Sequence, residues 1–241
     1  MSKNNLPATT NGKEVAVKEQ NAFAVSADLG ESLGEEMQGL TITFDRIKVP
    51  SGGGLAYEVP SDNPDEPDSV KEIKAVILYH HPVQSYYKEK YSGANDSPDC
   101  SSFDGINGID KETGEVKSCK DCELNKFESG DNGGKACKSK RRLFLLLENS
   151  AIPVIFSLPT TSLKDFSKYI IRIRGKGKKS FQVVTKFTLK KEQNAGGITF
   201  SKVVLATERD LNESEQKSVL PMSESVKAIA LSMRQIESSD E

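Results

Sequence analysis

Residues 71–81 read KEIKAVILYHH. The apolar run from Ala75 to Tyr79 has no polar interruption and is rich in residues that favour strands. A short run of this kind is a strand buried on both faces, which places it in the middle of a sheet. The sequence on either side is compatible with more strands around it. Upstream, GLTITFDRIKV (39–49) alternates, with Leu40, Ile42, Phe44 and Ile47 as candidates for burial. SGGGLAYEVP and SDNPDEPDS, between the two, are punctuated by Gly and Pro and read as a loop or short hairpin.

Downstream, RRLFLLLEN (141–149) and IPVIFSLP (152–159) form two short strands joined at Ser150–Ala151. Thr161 or Ser162 caps a helix carrying Leu163, Phe166, Tyr169, Ile170 and Ile173 at helical spacing, and RGKGKK (174–179) ends it. Phe181, Val183, Thr185, Phe187 and Leu189 alternate along one strand. A turn at Asn194–Gly197 returns the chain through an antiparallel partner at 198–207. Asn212 and Glu215 form a capping pattern, Pro221 interrupts, and Val226, Ile229, Ala230 and Met233 mark a short amphipathic helix.

The expected fold is mainly β: an OB-like barrel of five to six strands over 39–211, with a zinc-binding insertion at 93–139. A flexible arm (1–38) precedes it, with a transient helix near 22–29. A helix and acidic tail (212–241) follow it. A β-sandwich, or an α+β sheet with one helix, fits nearly the same string.

The insertion differs in kind from the rest. It is built of Gly, Asp, Ser, Asn and Lys, holds all four cysteines, and has almost no aliphatic residues. Such a segment cannot order itself by apolar burial. The spacing Cys100-x18-Cys119-x2-Cys122-x14-Cys137 supplies another source of order. A CxxC pair converges on one metal from a tight knuckle, and two distant cysteines complete a tetrahedron. Four sulfurs with no open position describe a structural zinc rather than a catalytic one. Disulfides are disfavoured in a chain without a visible export signal, and a thioredoxin-like CxxC lacks its βαβ context. An iron–sulfur cluster remains open to four thiolates. His80-His81, at the end of the central strand, is read as one inward and one outward packed side chain.

The net charge of −2 hides a segregation. Residues 1–137 hold 14 basic and 24 acidic side chains, residues 138–191 hold 14 and 2, and residues 192–241 hold 5 and 9. A block of +12 between acidic flanks points to a polyanionic partner, although cations on exposed faces are also a means of solvation. The cations fall in three clusters: Lys138, Lys140, Arg141 and Arg142; Arg172, Arg174, Lys176, Lys178 and Lys179; Lys186, Lys190 and Lys191. Tyr86, Tyr87 and Tyr91 are interleaved with Lys88 and Lys90. Aromatic rings beside lysines are what sequence-tolerant binding of unpaired bases uses, at about 1–3 kcal/mol per stacked base. Phe103 and Phe127 lie in the polar insertion, whereas Phe144, Phe156, Phe166, Phe181 and Phe187 are expected in the core.

The run PDCSSFDG (98–105), then CKDC, then GGKACKSKRRLFLL (133–146), IPVIFSLP and a Thr-Ser-capped helix resembles a phage-encoded family of small cysteine-containing proteins. The likeness covers roughly residues 70–205 and is most specific at the cysteines. That family is associated with phage single-stranded DNA-binding proteins having an OB fold and a zinc insertion. The resemblance implies an accessory role in DNA replication, recombination or repair and brings no residue-level assignment of DNA contacts. The short acidic end, IESSDE (236–241), is then a candidate competitor for the DNA groove and a recruiter of replication or recombination proteins.

No HExxH, Walker A, GxSxG or deaminase signature occurs, and the two adjacent histidines leave few options for a general base, so no enzyme is expected. No apolar run approaches the ~20 residues of a membrane span, and the N-terminus lacks a signal-peptide core. A soluble, cytoplasmic protein is expected, in the host cytoplasm if phage-encoded. The competing reading is a zinc-stabilised protein–protein adaptor, such as a host-takeover or anti-defence factor. A zinc-ribbon binder of duplex DNA would need a recognition helix that the sequence does not offer.

Overall fold

The computed structural model describes residues 22–23, 38, 40, 43–63, 65–89, 97–194 and 196–236. Most of the N-terminal arm, Ile42, Lys90, Tyr91 and the tail at 237–241 lie outside the described residues. The strands are β1 (Arg46–Ile47), β2 (Tyr57–Val59), β3 (Asp68–Val70), β4 (Glu72–Tyr86), β5 (Cys100–Ser102), β6 (Asn107–Asp110), β7 (Val116–Ser118), β8 (Lys138–Leu147), β9 (Val154–Leu158), β10 (Val183–Gln193) and β11 (Thr199–Asp210). Among the described residues two α-helices join them, α1 (Leu163–Gly175) and α2 (Glu213–Ile236). Among the described residues no helix is long and apolar enough to cross a membrane.

The run that reads as a central strand is central. β4 pairs antiparallel with β8 along most of its length, from Ala75↔Leu147 to Ser85↔Lys138. Its other edge is shared. The first half pairs with β10 (Glu72↔Thr188 to Val76↔Val184), and the last residues pair with β5 (Gln84↔Ser102 to Tyr86↔Cys100). β9 continues the sheet beyond β8, β1 lies parallel to β9, β11 extends β10, and β6 and β7 extend β5. β2 and β3 form a separate hairpin.

Burial on both faces explains the uninterrupted apolar run. On one face Ile73, Ala75 and Ile77 join Leu143, Leu145, Phe156, Phe187 and Val203, closed over by Phe166, Tyr169 and Ile173 of α1. On the other, Val76 and Leu78 join Phe144, Leu146 and Val184 beneath Val219, Met222, Val226 and Ala230 of α2. Phe23 and Phe44 complete this second core. A register shift between Ile77 and Tyr79 is a β-bulge. It turns Tyr79 to the α2 side with Leu78, and sends His80 to the α1 side against the Phe166 ring.

The sheet is mixed and is not closed into a barrel. Among the described residues β9 has β1 as its outer partner, and β11 pairs only with β10. One reason lies in the turn before α1. Ser162 is buried there, and its hydroxyl accepts the Val203 N–H of β11 at 2.9 Å, filling an edge position that a strand would need. Three further differences stand out. β1 is two residues long, and Leu40 upstream of it is exposed. The polar insertion contains three short strands that extend β4, although its composition gave no strand pattern. α2 runs through Pro221, because the lost backbone bond is outweighed by the apolar face that docks on the sheet.

The N-terminus of α2 follows its capping pattern. The Glu215 N–H donates to Asn212 Oδ1 at 3.0 Å, and the Asn212 N–H donates to Glu215 Oε2 at 3.1 Å. Glu215 is fully buried and also takes a bidentate fork from Arg209 at 2.7 and 2.8 Å. Its Oε1 accepts the Phe23 N–H at 3.4 Å, which ties that ring of the N-terminal region into the second core.

Candidate nucleic-acid interface and cysteine pocket

Between β4 and β8 the chain has little to bury. Within 97–137 the buried residues are Ser102, Gly108, Cys119 and Cys137. The insertion therefore organises itself around its thiols. Cys100 opens β5, opposite Tyr86 and Asp110. Cys119 follows β7, and its N–H donates to Ile106 O at 2.7 Å. Cys122 begins a one-turn 3-10 helix, Glu123–Asn125, and the Cys137 N–H reaches back to Leu124 O at 2.8 Å. The Asn125 side chain donates to Cys119 O at 2.6 Å and closes the knuckle.

All four cysteines line one pocket with a free volume of about 20 Å³, room for about one water-sized particle. All are free thiols. Gly108 is what lets them approach: a Cβ there would stand 3.1 Å from Cys100 Sγ and 3.4 Å from Cys119 Sγ. Burial raises the Cys100 and Cys119 thiols above their ordinary range and pushes Cys137 up to about 11, and neighbouring cysteines add to each shift. Such a set resists ionisation until a cation joins it. Among the described residues no group of three or more His, Cys, Asp or Glu is arranged as an ion site. The donor set nonetheless fits zinc: four sulfurs, a space for one ion, and no carboxylate lining it.

Beside this pocket is a groove of about 670 Å³. Tyr86, Tyr87 and Lys88 come to it from the end of β4, Lys138 and Lys140 from β8, and Arg46 from β1. Glu89 and Asp131 also reach its lining. Register places Lys138 opposite Ser85, Lys140 opposite Val83 and Arg142 opposite His81, so these three cations point to one face of the sheet. Burial lowers the Lys140 pKa, and among the described residues no carboxylate offsets that cost. Lys88 is held by Glu112 at 2.9 Å, and Lys138 donates to the Lys135 carbonyl.

The remaining cations are dispersed. Arg141, on the opposite face, donates from Nε to His80 Nδ1 at 2.9 Å and lies over the Phe166 ring. Arg142 lies over the Phe103 ring. Arg172, Arg174 and Lys176 stand exposed at the end of α1 and do not line the groove. Lys178 pairs with Asp210 at 2.5 Å, and Lys179 lies over the Phe181 ring. Lys186 pairs with Glu208 at 3.3 Å, Lys190 with Glu192 at 2.9 Å. Of the three sequence clusters only the first reaches the groove, and only through Lys138 and Lys140, which meet Tyr86, Tyr87 and Lys88 there. Arg46 was missed by sequence reasoning, since a lone arginine in a strand carries no signal of its own.

The expected core rings behave as such: Phe144, Phe156, Phe166 and Phe187 are buried, and Phe181 packs partly buried against the second core. His81 is buried, and its Nδ1 lies 2.8 Å from Phe103 O. No protein-family model, curated protein or solved structure matches the chain.

Proposed function

We propose that this chain is an OB-type protein that binds single-stranded DNA without strong sequence preference, in replication, recombination or repair, and that its insertion is held by a structural zinc. The strand path supports the OB reading. β4, β8 and β9, then α1, then β10 and β11 follow one another, with the first of these strands pairing both the second and the fourth. That is the order of a partly open OB barrel, in which the face of the second and third strands and the loop after the first bind oligonucleotides. Here that face is β8–β9 and that loop is the cysteine insertion.

The observation that carries the function is the groove at this junction, where Arg46, Lys138 and Lys140 lie beside two tyrosines. Cations suit a phosphate backbone, and rings suit unpaired bases. Zinc would be held by Cys100, Cys119, Cys122 and Cys137, and it would fix β8 and its cations relative to β4. The reading is one of binding, with no chemical step. A role for the acidic end in recruiting replication or recombination proteins goes with it.

Titration of labelled oligo-dT and of duplex tests it by anisotropy. Micromolar or tighter binding to oligo-dT is expected, with a log–log salt slope of about −0.7 per phosphate contact. Lys138→Gln with Lys140→Gln should flatten that slope, and Tyr87→Ala should weaken binding with the slope nearly unchanged. No affinity for oligo-dT at ~50 mM salt overturns the reading in favour of the adaptor, and equal affinity for duplex overturns its preference for single strands.

A further inference from the structure

A second cavity, of about 320 Å³, opens between α1 and the strand pair β4–β8. One wall is apolar, made by Leu163, Phe166, Ile170 and Ile171 of α1. The other carries Lys140 and Arg141, with His80 behind them. Its volume is at the lower end of the range for small-molecule pockets, enough for one nucleoside and too small for two stacked ones. An apolar slot with an arginine fork at its rim matches a nucleotide, whose base is flat and apolar-faced and whose phosphate is anionic.

Arg141 is set for that role by its neighbours. Its Nε is used by His80 Nδ1, and its guanidinium rests 5.6 Å from the Phe166 ring centre. The two contacts fix the plane of the fork and leave its terminal nitrogens to a ligand. His80 must accept this bond, so its ring proton sits on Nε2, and burial and Arg141 keep the ring neutral. Among the described residues no carboxylate offsets the burial of Lys140 or Arg141. Lys140 lines the tyrosine-bearing groove as well as this cavity, so the two sites adjoin at β8.

We infer that this cavity takes one unstacked nucleotide of the bound strand, its base against Phe166 and Ile170 and its phosphate on the Arg141 fork. The inference rests on the single-strand reading above and adds to it a discrete subsite. Strand binding then has two parts: backbone tracking with stacking in the groove, and capture of one base beside α1.

The test uses the full chain and two probes, oligo-dT carrying a single 2-aminopurine and thymidine 5′-monophosphate alone. Ser167 is an exposed residue of α1 at the cavity mouth, so Ser167→Trp fills the mouth without touching the core. Arg141→Gln removes the fork. Ser167→Trp should weaken oligo-dT binding about tenfold at an unchanged salt slope and an unchanged melting temperature. Arg141→Gln should weaken it comparably and flatten the slope by about one contact. The 2-aminopurine emission should rise on binding to wild type and not to Ser167→Trp, and thymidine monophosphate should compete with that rise. Full affinity and the same 2-aminopurine response in Ser167→Trp would overturn the subsite while leaving the single-strand reading in place. Failure of the wild type to bind oligo-dT would bring down the reading and the subsite with it.

Discussion

The sheet and the insertion that interrupts it are ordered by different physics. Around β4, two apolar cores packed against α1 and α2 bury Ile77, Leu145, Phe156 and Phe187 on one side and Leu78, Phe144 and Met222 on the other. Within 97–137 no aliphatic side chain is buried, while Ile106, Val116 and Phe127 are exposed. Its buried centre is a cluster of thiols beside Ser102 and Gly108. Apolar burial scales with area and tolerates small changes. A four-thiol site is all-or-none, because one missing ligand leaves an incomplete shell. The two regions should therefore fail separately and by different chemistry.

The largest expected effect is loss of the metal. One zinc per chain should be found by elemental analysis, and Cys119→Ser or a strong chelator should remove it. Structural zinc contributes about 10–16 kcal/mol of binding free energy in small domains. Amides of 97–137 should then lose hydrogen-exchange protection while those of Leu143–Leu146 keep theirs. Absence of zinc together with two disulfides by mass would break the comparison.

The converse change is Phe156→Ala. Phe156 is fully buried and packs edge-on to Tyr57 at 5.9 Å and against Phe187 at 5.5 Å. Its removal should cost about 3–5 kcal/mol in denaturant unfolding of the sheet. Zinc stoichiometry should be unchanged at temperatures where the variant stays folded. A drop in zinc content there would show that the two regions are one cooperative unit.

These two regions also differ in how they show in sequence. β4, β8, β9, α1 and the β10–β11 hairpin were legible because each has its own apolar pattern, and Asn212 and Glu215 announced the cap of α2. The three-residue strands β5 and β7 were not legible. β5 owes its pairing to the open edge of β4, and β7 to β6 further along the same sheet, rather than to their own side chains. The bulge at Leu78 and the passage of α2 through Pro221 are likewise decided by packing partners far away in the chain. At the candidate site, spacing picked out the cysteines, and charge density picked out the cluster at 138–142, of which Lys138 and Lys140 line the groove while Arg141 and Arg142, the expected contacts, do not. The same density signal also drew in Arg172, Arg174 and Lys186, because a charge count along a chain does not register which side of a helix or which carboxylate a cation meets.

A pH series separates the regions again. Burial, and then Arg141, lower the His80 pKa from 6.5 to about 4. Between these values the unfolded chain binds the extra proton, so stability rises with pH and is lost as pH falls from 6.5 towards 4. The span corresponds to about 3 kcal/mol as an upper figure. Denaturant unfolding of the sheet at pH 7.5 and 4.5 should show that loss in wild type and a smaller one in His80→Asn. Equal losses would mean that other groups carry the acid sensitivity.

The smallest effect probes the thiol pocket without removing a ligand. A methyl group at Gly108 would stand 3.1 Å from Cys100 Sγ, closer than carbon and sulfur normally approach, and 3.4 Å from Cys119 Sγ. Whether it destabilises depends on whether those sulfurs can move. Free thiols can rotate away, at little cost. Thiolates fixed by a metal cannot, so the strain passes to the metal–sulfur geometry. Gly108→Ala should therefore lower zinc affinity by about 10–100-fold, as disturbed surroundings of metal ligands commonly do, and leave chelator-treated protein unaffected. Gly175→Ala is the matched control: apart from its chain neighbours and its own helix backbone, nothing lies within 4 Å of its added Cβ. It should be neutral or stabilise by up to about 1 kcal/mol through the unfolded state, in metal and chelator alike. Equal effects of Gly108→Ala with and without chelator would mean that the pocket is packed as ordinary protein, and the contrast between a thiol-ordered insertion and an apolar sheet would fail at its centre.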